Sequence, residues 1–116
     1  MSAYARSVAF DEGLAERIRD LTSARVVISE RKMFGGLCFL ARGNMCFGIV
    51  GSELMVRVGP AAYDAALALP HAREMDFTGH SMRGMVYVSV DGVAEDDELG
   101  RWLTRGLDFA TSLPPK

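Results

Sequence analysis

Apolar residues change their spacing along the chain, and each change marks a predicted element. From Asp11 the residues Leu14, Ile18 and Leu21 recur at helical intervals, with Glu16, Arg17, Arg19 and Asp20 on the other faces. Asp11 and Glu12 put negative charge where a helix N-terminus is positive. The pattern then shifts. Val26, Val27 and Ile28 are β-branched and open an extended segment that runs to about Phe34, where Gly35-Gly36 predicts a bend or bulge. From Lys32 to Val58 the chain reads as three short strands, Leu37 to Arg42, Met45 to Val50 and Glu53 to Val58. Gly43-Asn44 and Gly51-Ser52 join them as two-residue hairpin turns.

Taking those pairs as the central turn residues sets a register. Arg42 pairs with Met45, placing Cys38 opposite Ile49 and Leu40 opposite Phe47; Val50 pairs with Glu53, placing Ile49 opposite Leu54 and Phe47 opposite Val56. Side chains alternate between faces. One face then collects Cys38, Leu40, Phe47, Ile49, Leu54, Val56 and Val58, which reads as core. The other collects Leu37, Phe39, Ala41, Cys46, Gly48, Val50 and Met55, with Glu53 and Arg57 as its charges. That face is too apolar for water and predicts burial under a helix or against a partner.

Gly59-Pro60 opens a second, alanine-rich helix that Pro70 ends. Residues 71–83 read as a loop with a short strand at Glu74 to Phe77, and Gly84 to Val90 as a strong strand. Glu95 to Glu98 begins a last helix with the stripe Leu99, Trp102, Leu103, Gly106, Leu107 and Ala110. Residues 1–10 read as a loose arm and 11–116 as one domain. The order α-βββ-α-ββ-α predicts a two-layer α+β fold with a mainly antiparallel sheet.

Composition narrows the function more than it defines it. The 116 residues are 49% apolar and 24% charged, as in an ordinary globular domain. The formal net charge of −2 argues against unaided nucleic-acid binding, which draws its affinity from a basic excess. The N-terminal stretch MSAYARSVAF has no apolar h-region, and no run is long enough to span a membrane, so a cytoplasmic location is expected.

Candidate chemistry is sparse. Cys38 and Cys46 fit no zinc spacing and fall on opposite faces of the predicted hairpin, which suits two buried free thiols. Gly35-Gly36 lacks the phosphate-loop patterns and leads into a strand. Arg31, Lys32, Arg57, Arg73 and Arg83 allow a small basic patch. His71, Arg73, Asp76, His80 and Arg83 gather in the 71–83 segment and form the candidate site for a small molecule or anion. The second sheet face, represented by Leu37, Phe39, Val50 and Met55, is the candidate interaction surface. No metal, cofactor or catalytic set is implied.

Several segments resemble the N-terminal domain of the TfoX/Sxy family. They are Lys32-Met33-Phe34-Gly35-Gly36 with Phe39, Gly43-Asn44-Met45-Cys46-Phe47-Gly48 and Leu54-Met55-Val56-Arg57-Val58. Met75-Asp76-Phe77-Thr78-Gly79, Met82-Arg83-Gly84-Met85-Val86-Tyr87-Val88 and Ser112-Leu113-Pro114 follow in the same order. The resemblance implies an α+β domain like that of type III secretion chaperones, in bacterial proteins tied to competence regulation. The best-known members act as coactivators with the cyclic-AMP receptor protein and have no established enzymatic activity. Longer regulators carry a second, C-terminal domain, whereas this sequence reads as a stand-alone N-terminal module. The resulting expectation is a non-catalytic regulatory module that docks a protein partner or forms a homodimer. The alternative is a ligand-binding domain using the 71–83 segment.

Overall fold

The computed structural model describes residues 10–25, 27–33, 35–77 and 80–116. Helix α1 (Glu12–Thr22) starts where the charge pattern places it: the Asp11 carboxylate caps it by accepting from the Leu14 N–H at 3.1 Å. Strands β1 (Ile28–Met33), β2 (Gly36–Ala41), β3 (Asn44–Val50) and β4 (Glu53–Arg57) follow. After the short α2 (Tyr63–Leu67) come β5 (Ala72–Phe77) and β6 (His80–Val88). A 3₁₀ turn (Val90–Val93) then leads into α3 (Asp96–Ser112). The strands form one open six-stranded sheet in the order β1-β2-β3-β4-β6-β5, with every neighbouring pair antiparallel.

The α+β class and the antiparallel sheet match the sequence reading. The extended segment before Gly35 is a full strand, so four strands rather than three precede α2. It forms one edge of the sheet, and its residues Ser29 to Lys32 are exposed, a polar border that discourages strand-to-strand association. Of the expected arm, residues 1–9 lie outside the described residues; Phe10 forms a parallel bridge with Gly51. Among the described residues no helix is long and apolar enough to cross a membrane.

All three α-helices contribute to one core. Leu14 and Ile18 of α1, Tyr63 and Ala66 of α2, and Leu99, Trp102, Leu103 and Leu107 of α3 pack with Leu37, Phe39, Phe47, Ile49, Leu54, Val56, Val86 and Val88 of the sheet. The β3–β4 hairpin has the predicted register, with Val50 opposite Glu53, Ile49 opposite Leu54 and Phe47 opposite Val56.

The β2–β3 hairpin does not. Its turn is Arg42-Gly43, both at positive φ (55° and 82°), so that Ala41 pairs with Asn44. This is the backbone signature of a type I′ hairpin turn. A bulge beyond it leaves Cys46 unpaired and restores Phe39 opposite Phe47 and Leu37 opposite Ile49. Strand β2 is therefore turned over relative to the prediction. Leu37, Phe39 and Ala41 face the helices, and Cys38 and Leu40 face away. Helix α3 fits the bulge closely. A β-carbon on Gly106 would collide with the Cys46 carbonyl oxygen, so this side of α3 needs glycine.

Candidate functional site: a methionine-lined sheet face

On the side away from the helices lies a second apolar cluster whose described members are all strand residues. Cys38, Leu40, Met55, Met75 and Met85 are buried there, with Met33, Met45, Val50 and Tyr87 half-buried around them. Five of the seven methionines in the chain belong to it, one each from β1, β3, β4, β5 and β6. In β4 and β6 strand alternation accounts for them, because Leu54, Val56, Val86 and Val88 feed the helix-covered core.

Methionine makes the arrangement workable. Gly48 leaves a gap in the central row between Cys38 and Met55, its two cross-strand partners. The Met55 side chain lies down into that gap, its Cε 2.5 Å from where a β-carbon on Gly48 would stand. Among the described residues the cluster has no helix member. The flexibility of thioether side chains lets such a surface repack against different shapes.

A polar clamp borders the cluster. Arg73 on β5 reaches across Tyr87 on β6, its guanidinium carbon 4.7 Å from the ring centroid, to Glu53 on β4. It meets that carboxylate with two hydrogen bonds of 2.6 and 2.7 Å. Hydrogen bonding from Arg73 holds the Glu53 carboxyl below its usual pKa, against an opposing effect of partial burial. The helix side has a counterpart, in which Arg19 of α1 grips Glu30 of β1 at 2.7 and 2.9 Å.

The sequence-predicted interaction residues divide between the two faces. Val50 and Met55 belong to the methionine face, whereas Leu37 and Phe39 are buried in the helix-covered core. The correction follows from the Arg42-Gly43 turn and the bulge at Cys46, which reverse β2. The two cysteines do lie on opposite faces, with the sides exchanged: Cys46 joins the helix-covered core and Cys38 the methionine cluster. Both are free, and burial pushes their thiols up, Cys38 to about 11 and Cys46 to about 12. They stay protonated at neutral pH and are poor nucleophiles. The Cys46 thiol donates to the Phe39 carbonyl at 3.1 Å.

The 71–83 segment is a hairpin of β5 and β6 rather than a loop. Strand pairing brings the backbones of Asp76 and His80 near each other, since Asp76 pairs with Ser81 and Phe77 with His80. The other candidates diverge. His71, at φ 71°, lines a cleft with Gly92, Arg101 and Trp102, while Arg73 is committed to Glu53 on the methionine face. Arg83 turns to α2, 5.0 Å from the Tyr63 ring centroid and 3.6 Å from the Asp64 carboxylate. Among the described residues no group of three His, Cys, Asp or Glu side chains is placed to hold a metal ion.

The sequence did hold a signal for the true composition of this face. Met45, Met55, Met75 and Met85 recur at multiples of ten residues, one to a strand from β3 to β6.

Residues 20–110, from within α1 to within α3, match the family described as the TfoX N-terminal domain. The chain belongs to that family. The match takes in the whole sheet, so both faces described above are features of a TfoX N-terminal domain, and it supports a competence-regulator-like domain. Comparison with curated proteins and with solved structures gave no match.

Proposed function

We propose that this TfoX N-terminal domain is a cytoplasmic, non-catalytic regulatory module that docks a protein on its methionine face, with a second copy of the chain as the first occupant to test. One observation carries the reading. An apolar cluster drawn from all six strands takes none of its described members from a helix, and its adaptable thioethers suit a recognition surface. The raised thiol pKa values add support, since they leave the two cysteines without nucleophilic character. The near-neutral charge suits action through a protein, such as the transcription machinery, rather than through direct DNA contact.

Half-buried positions allow a test that spares the fold. Met45→Glu and Val50→Lys put charge on the rim of the face. Light scattering after size exclusion is expected to show a concentration-dependent dimer for the parent chain and a monomer for the double variant, with unchanged circular dichroism. In the host, the parent gene should restore the transcript changes caused by its deletion and the double variant should not. Full rescue by the double variant would exclude this face as the functional surface.

A further inference from the structure

On the helix side of the molecule, α2 and α3 leave an open groove of about 520 Å³, within the usual size range of small-molecule sites. Val58, Ala66, Leu69 and Phe109 give it an apolar lining, and the small side chains of α2 leave it room. Two charges stand at its wall, Arg105 and Asp108. Arg105 is the unusual one. It is half-buried, its guanidinium carbon lies 4.6 Å from the Trp102 ring centroid, and it makes no ion pair among the described residues. Arg73 has Glu53, Arg83 has Asp64, and Arg25 donates to the Thr104 hydroxyl at 2.9 Å. Arg101 also has no ion pair among the described residues but is exposed, and Arg57, over the Phe109 ring, donates to the Met45 carbonyl at 3.5 Å.

Two effects raise the electrostatic cost at Arg105. Partial burial and the positive charge of Arg101, one turn earlier, both lower its pKa. An anion bound there would relieve both effects. Arg105 also lines two further clefts along α3. An unpaired planar donor beside an apolar groove is complementary to a molecule with an apolar body and one carboxylate.

We infer that the α2–α3 groove binds a small amphipathic carboxylate, its apolar part between Val58, Leu69 and Phe109 and its carboxylate on Arg105. This site is separate from the methionine face and stands independently of the docking proposal. It also differs from the 71–83 site read from the sequence.

Decanoate, kept below its micelle concentration, is a suitable probe, with decan-1-ol as the uncharged comparison. Calorimetry on the intact protein should show saturable binding of one decanoate per domain, with decan-1-ol weaker by about tenfold or more, the usual value of a charge-assisted hydrogen bond. Arg105→Gln should remove that preference while leaving decan-1-ol binding unchanged. Ala65→Phe, at an exposed position on the groove, should weaken both probes by at least about tenfold through loss of the apolar volume. The single tryptophan, Trp102, gives a local readout, and its emission should change with decanoate in the parent and not in Arg105→Gln. Absence of saturable decanoate binding to the folded parent chain overturns the proposal. So does an Arg105→Gln variant that folds normally and keeps the preference for decanoate, or an Ala65→Phe variant that binds as the parent does.

Discussion

The two faces of this sheet solve the same burial problem with different materials. The helix-covered face uses rigid, interlocking side chains. Phe39 and Phe47 meet with ring centroids 5.5 Å apart, and α3 presses a glycine, Gly106, onto the bulge beneath it. The opposite face uses methionines from five strands, with Met55 filling the space above Gly48. A rigid core loses stability when its shape changes, whereas a thioether surface can absorb changes of shape. The first face specifies the fold, and the second is the one we propose as a docking surface.

Substitutions can break or sharpen that contrast. The largest effect is expected on the helix side. Phe47 is fully buried, and Phe47→Ala should cost about 3–5 kcal/mol, read as a lowered urea midpoint. A smaller effect is expected across the sheet. Met55 is as deeply buried, yet Met55→Leu should cost less than about 1.5 kcal/mol, because volume is conserved and its neighbours can repack. A loss near that of Phe47→Ala would show that the methionine face is as rigid as the core.

The smallest effect belongs to the rim. The Glu53 and Arg73 side chains are 31% and 51% exposed, so Glu53→Gln should cost no more than about 1 kcal/mol. The sign with pH is fixed by the lowered pKa of Glu53. Its contribution is complete above the ordinary value of 4.5 and fades as pH falls through the lower folded-state value. Parent and variant should therefore differ in melting temperature at neutral pH and converge in acid. A difference that persists in acid would mean that packing on Tyr87, rather than charge, sets the clamp.

Parts of this architecture were legible in the sequence for clear reasons. Helix α3 has an unbroken apolar stripe and an acidic first turn, and both survive in the structure. Gly51-Ser52 marked its turn, because glycine is the residue that takes the positive φ there (63°). The preceding hairpin was misread because Arg42 takes a positive φ, which no arginine advertises, and because the bulged Cys46 resembles any other strand residue. The 71–83 hairpin was hidden by polar residues on strands that complete one edge of the sheet. The candidate surface inherited the first error: half of its expected residues faced the wrong way. Arg105 and its groove left no local signal, since they depend on how α2 packs beside α3.

Cys46 also constrains how this chain can vary over time. Each residue along a strand toggles between two sides, so the assignment of side chains to sides is a matter of parity. The tight turn at Arg42-Gly43 alone would leave Phe39 out of phase with Phe47, and the one unpaired residue brings them back into step. The number of residues between Phe39 and Phe47 therefore cannot change by one without a second change to cancel it. Here the residue count is itself a structural element.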